Sequence, residues 1–147
     1  MSSRIEKIQT LIELADAEES KALETFSILQ GQFQGHLEQL ESLRSYVNDY
    51  ANQNLQKTIS SVQMLSTHAF VGKLHHAIAS EENKTEGFRE VMDRAREAWV
   101  DKRSRLQALQ KLLLRLQKSR QASLDKHEQN FLDELSGQAF SRKSQKK

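Results

Sequence analysis

Apolar residues in this chain return at alternating steps of three and four, and no proline interrupts them. From Ile5 the series runs through Ile8, Ile12, Ala15, Ala22, Phe26, Leu29, Phe33, Leu40, Leu43, Val47 and Tyr50, broken only by Glu19 and His36. A spacing of about 3.5 residues kept up over so many turns is the seam of a left-handed coiled coil, because a straight helix would carry the same positions off one face. The pattern predicts one helix over about 3–54. Ser3 followed by Glu6 has the spacing of a capping box, which satisfies backbone donors at a helix start. Gly31 and Gly35 lie inside the helix. Each weakens it by about 1 kcal/mol relative to alanine, and the seam on either side outweighs them.

The periodicity fades through Asn52, Gln53, Asn54, Thr58, Ser60 and Ser61, side chains that bond their own backbone and favour turns. The chain is expected to reverse here, with a connection over about 55–69 that holds a small helix at 62–68. A second seam begins at Val71 and continues through Leu74, Ile78, Phe88, Met92, Ala95, Trp99, Leu106, Leu109, Leu113 and Leu116, with Glu81, Thr85 and Lys102 as exceptions. It then slips to Leu124, Phe131 and Leu135, a stutter that changes the local supercoil. The second helix is expected over about 70–136, ending at Gly137, with a basic tail at 137–147.

Two long seams joined by a short connection must run antiparallel, because the connection cannot span back along a helix of about 70 Å. The expected fold is all-α: a long two-helix antiparallel coiled-coil hairpin forming one domain over residues 1–147. Folding near residue 62 sets the start of the first helix beside residues near 120 and leaves the last turns of the second without an internal partner. Charge agrees with this register. Glu13, Asp16, Glu18, Glu19 and Glu24 fall opposite Lys102, Arg103, Arg105, Lys111 and Arg115. Such pairs select a mate and a register more than they add stability.

Composition narrows the function. With 37% hydrophobic, 29% charged and only 6% aromatic residues, there is little to fill a layered core. No cysteine is present, which removes disulfides and thiolate chemistry and agrees with a reducing compartment, so a cytoplasmic location is expected. No stretch approaches the length of a membrane span, and the Met-Ser-Ser-Arg-Ile-Glu start lacks the apolar core of a signal peptide. Twenty-two basic and 20 acidic side chains are too balanced for a dedicated nucleic-acid binder. The basic run from Arg94 to Lys126 largely faces the acidic first helix, and Trp99 holds a seam position, where burial is the ordinary fate of a large aromatic.

Catalytic signatures fail one by one. His127-Glu128 begins the pattern of a zinc-protease helix, but Phe131 stands where the second histidine ligand is needed. His68, His75 and His76 have no carboxylate or cysteine to complete a site and read as a solvated cluster. Gly31-x-x-x-Gly35 has polar neighbours in Gln32 and Gln34, unlike a membrane dimer motif. Asn83-Lys84-Thr85 matches a glycosylation acceptor that a cytoplasmic protein does not use. No glycine-rich loop precedes a helix to cradle a phosphate. The chain is expected to be no enzyme, to hold no cofactor or metal, and to act by binding partners.

One feature lies beside the seam. Gln39, Leu43, Tyr46 and Tyr50 form a stripe at steps of four, three and four, and Phe70, Leu74, Ala77 and Glu81 form another. A two-helix coil buries one seam only, so apolar residues outside it meet the connection, a second copy or another protein. Self-packing and partner binding both satisfy this stripe.

The segments Leu43-x-x-Tyr46-x-x-x-Tyr50, Phe70-x-x-x-Leu74-x-x-Ala77-Ile78, Ala98-Trp99 with the basic residues and Leu106 that follow, and Glu128-Gln129-x-x-Leu132-Asp133-Glu134-Leu135 resemble the FliJ family of flagellar export proteins. The likeness covers nearly the whole chain in length and helix layout. It implies a non-catalytic, stalk-like component of the flagellar type III export apparatus, peripherally associated with the inner membrane. Such a component binds and stimulates a hexameric export ATPase, contacts the membrane export gate and handles export chaperones. It further implies that Gln39, Leu43, Tyr46, Tyr50, Phe70, Leu74 and Ala77 face the gate, and that Gln129, Asp133 and Glu134 lie toward the ATPase. Glu81 stands where some relatives carry a histidine. Two other readings remain: the stalk protein of a virulence injectisome, and a plain dimeric scaffold.

Overall fold

The computed structural model describes residues 2–55 and 60–145. Over these the chain is two α-helices, α1 (Ser2–Leu55) and α2 (Ser61–Gln145). Every seam position named above from Ile5 to Tyr50 and from Val71 to Leu116 is buried or half-buried, as are the five polar interruptions at Glu19, His36, Glu81, Thr85 and Lys102. Burial is shallow throughout. No side chain among the described residues is fully enclosed, the expected outcome when one helix face meets only one other.

Packing divides the helices into two compact units, one spanning Glu19–Asp101 and the other made of the segment up to Glu18 with the segment from Lys102 onward. The first unit contains the reversal. Its best-buried cluster is Leu40, Val47 and Ile78, with Leu43 and Leu74 packed against it. Partners fall in number along α2 as they rise along α1: Phe26 stacks on Trp99, His36 on Phe88, and Tyr50 meets Phe70 edge-on. That order is the antiparallel pairing expected of a hairpin. In the second unit Ile5, Ile8 and Ala15 are buried on α1 and Leu106 on α2. Ile5, Glu6 and Gln9 line one cleft with Gln117, Arg120, Gln121 and Leu124, so the start of α1 lies beside residues near 120.

Helix ends differ from the sequence expectation. α1 already begins at Ser2, ahead of the Ser3–Glu6 pair. α2 begins at Ser61 rather than near 70, and residues 62–68 are its first turns rather than a separate small helix. The start is fixed by a reciprocal capping box well ahead of the apolar seam that begins at Val71: Gln63 N–H donates to Ser60 Oγ and Ser60 N–H donates to Gln63 Oε1, both at 3.2 Å. The Ser60 carbonyl takes the first helical bond, from Met64 N–H at 2.9 Å. Thr58, assigned to the turn, lies outside the described residues, as do 56–59 generally. At the other end α2 runs through Gly137 to Gln145. Gly137 has no left-handed φ, and no proline follows to stop the helix, so the basic segment through Gln145 is helical.

Candidate partner-binding surfaces

Each polar interruption of the seam finds a partner within the chain, which leaves little chemistry there for an outside ligand. His36 Nδ1 lies 2.9 Å from Glu81 Oε1, and the ring stacks on Phe88 with centroids 4.2 Å apart. Thr85, only 5% exposed, donates its hydroxyl to the Glu81 carbonyl at 2.8 Å, one turn back on its own helix. Trp99 Nε1–H donates to Glu19 Oε1 at 2.9 Å. In the unit from Lys102 onward, Lys102 Nζ donates to Glu18 Oε2 at 3.2 Å. Of the acidic and basic sets expected to face each other, Glu18 with Lys102 is therefore an ion pair, whereas Glu19 meets the indole.

Two stretches keep apolar surface in the open. In the unit Glu19–Asp101, Tyr46 and Tyr50 stack at 6.4 Å and Tyr50 meets Phe70 at 5.0 Å. Leu43, Leu74 and Tyr50 are half-buried by these contacts and by the cluster at Leu40. Tyr46 remains 53% exposed and Phe70 39%, and Gln39 and Ala77 are also exposed. The stripe is thus partly self-packed, with Tyr46 at its open edge. Beside it, Gly35, Gln39, Ser42, Leu43 and Tyr46, with Glu38 and Glu81, line an open groove of about 800 Å³. Val62, Met64 and Leu65 on the first turns of α2 add three more exposed apolar side chains, which follow from α2 starting at Ser61.

In the other unit, every residue from 117 to 141 is exposed. Leu124, Phe131, Leu132, Leu135 and Phe140 all stay exposed, Phe131 at 61% and Phe140 at 76%, and of these only Leu124 borders the cleft at the start of α1. Gln129, Asp133 and Glu134 are exposed on the same stretch, and no other element meets them among the described residues. Leu132 and Phe140 were absent from the sequence-based candidates, although their four-residue multiple on a stretch lacking an opposing seam is a readable signal.

Among the described residues no three His, Cys, Asp or Glu side chains converge as a metal site, and no helix is long and apolar enough to cross a membrane. The family model described as "Flagellar FliJ protein" matches residues 4–145. The flagellar FliJ proteins of Escherichia coli strain K12 and of Salmonella typhi are each 27% identical to the chain over 139 residues, covering 92% of it and 95% of the relative. No solved structure matches it significantly.

Proposed function

Because the chain belongs to the flagellar FliJ protein family, a family of flagellar export components, we propose that it serves export as a non-catalytic stalk component that binds and stimulates the export ATPase ring. In this reading it also contacts the membrane export gate and handles export chaperones, at the cytoplasmic side of the inner membrane, and so contributes to motility and chemotaxis. The observation that carries the ATPase part is the α2 stretch 117–141, exposed along its whole length and studded with Leu124, Phe131, Leu135 and Phe140. A helix that keeps large apolar side chains in water is suited to insertion into a partner's groove or ring. Gln129, Asp133 and Glu134 supply polar contacts on the same stretch. Mixing the chain with the export ATPase is expected to raise ATP hydrolysis, and unchanged hydrolysis at saturating protein sinks this part.

The gate contact is assigned to Gln39, Leu43, Tyr46, Tyr50, Phe70, Leu74 and Ala77. Support comes from Tyr46 and Phe70, which stay open while their neighbours pack inward. Replacing both by alanine is expected to abolish binding to the gate protein with helicity by circular dichroism retained. Loss of helicity instead would mark the stripe as structural.

A further inference from the structure

We propose that the groove beside Leu43 and Tyr46 receives a cationic amphipathic segment of a partner protein. The place rests on the gate-facing reading above; the chemistry of the occupant is new. Half-buried Leu43 and exposed Tyr46 give the groove an apolar floor and wall. Gly35 leaves one side empty, since a Cβ added there would meet no atom within 4 Å. An apolar side chain therefore has a place to sit, and the flanks say what must accompany it.

Those flanks are acidic. Glu38 and Glu81 border the groove, and a continuous line along α1 adds Glu41, Ser42, Ser45 and Asp49 around Tyr46. No lysine or arginine lines either depression. The nearby Arg44 is bound to Glu82 at 2.8 Å on α2. Glu38, Glu41 and Asp49 have no ionic or hydrogen-bonding partner among the described residues. Glu38 and Glu41, three positions apart on one helix, repel each other in the free chain, and an arriving cation relieves this. The line from Glu38 to Asp49 runs about 16 Å along the helix, the length of some three helical turns, which matches a short segment rather than a whole domain face. Anionic lipid and nucleic acid are repelled by the same carboxylates, which leaves a lysine- or arginine-bearing protein segment.

Two probes test this: a labelled amphipathic helix of leucine and lysine, and the purified soluble portion of the gate protein. The leucine–lysine helix is expected to bind at least about tenfold more tightly than a leucine–glutamate counterpart and to weaken as salt is raised. Both the E38Q/E41Q/D49N variant, which leaves the seam untouched, and Gly35→Leu, which fills the groove on a face with room for it, should weaken binding about tenfold. The control E90Q/D93N, at exposed positions of α2 outside the groove, should not. Equal binding of the two helices, or loss only with the control, overturns the proposal. Gate protein that binds wild type and E38Q/E41Q/D49N alike also overturns it while leaving the gate contact standing. Helix binding that maps to the groove without any gate binding keeps the proposal and removes the gate reading.

Discussion

The unit Glu19–Asp101 and the unit formed around Ile5 and Leu106 are built from the same two helices, yet they differ in how far they cover the apolar residues they carry. In the first, the polar seam positions are bonded, His36 to Glu81 and Glu19 to Trp99, and part of the apolar surface beside the seam is covered from within, as Phe70 is by Tyr50, while Tyr46, Val62, Met64 and Leu65 stay exposed. In the second, the seam ends at Leu116 and the next 25 positions, 117–141, expose whatever they carry, leucine and phenylalanine included. The contrast separates two sources of order. One stretch is held by its own contacts. The other, beyond the cleft that Leu124 shares with the start of α1, is helical with no covering element among the described residues, so its apolar side chains are available at no cost in broken packing.

The largest test of that contrast compares two truncations of similar size. Leu40 is 5% exposed in the cluster with Val47 and Ile78, and Leu40→Ala should cost about 2–4 kcal/mol, since the cavity left in a two-helix contact has few atoms to collapse into it. Phe131→Ala removes more carbon from the exposed stretch and should change unfolding by no more than about 0.5 kcal/mol. Urea denaturation followed by circular dichroism measures both. A Phe131→Ala loss comparable to Leu40→Ala would mean that the exposed stretch is covered by a second copy in solution.

How much of this was legible in the sequence follows the same division. The seam was readable residue by residue, because a period of about 3.5 residues is a local property that any window shows. The interruptions were readable as positions but not as partners: His36 and Glu81 each look like a defect alone, and only the register that sets them 2.9 Å apart makes them a pair. Glu19 was expected to meet a cation and instead accepts from Trp99, a choice between two good donors that spacing does not make. The start of α2 was misplaced for a local reason. Ser60, Ser61 and Thr58 favour turns and caps alike: the sequence reading takes them as turn formers, whereas in the structure Ser60 caps α2 with Gln63. A glycine at 137 permits a left-handed residue and so predicts a stop, but Gly137 keeps a helical φ and α2 runs on through it. Of the stripe at Gln39 to Ala77, the sequence identified the members, whereas which of them turn inward was set by the cluster at Leu40.

A second test sits inside the paired seam. His36→Leu leaves the Glu81 carboxylate half-buried without its partner, and Glu81→Leu strands the imidazole; each should cost about 1–3 kcal/mol. The double substitution should recover most of that loss, so a double-mutant cycle should give a favourable coupling of at least about 1 kcal/mol between the two. Additive losses would show that the 2.9 Å contact does not hold the helices in register.

The smallest expected effect compares one exposed ion pair from each unit. Arg44 with Glu82 and Lys102 with Glu18 have side chains roughly half exposed on both partners, at 2.8 and 3.2 Å. Water and salt screen both, so Arg44→Gln and Lys102→Gln should each cost less than about 1 kcal/mol, and the cost should shrink as ionic strength rises. Lys102 differs in one respect: its stem occupies a seam position and is half-buried, so the aliphatic part packs whether or not the charge is paired. Lys102→Met, which keeps the stem and removes the charge, should therefore match or exceed wild-type stability, whereas Arg44→Met should not. Thermal melts of the four variants at low and high salt decide it, and a Lys102→Met loss that salt abolishes would assign the Glu18 contact a larger share of the second unit's stability than its exposure allows.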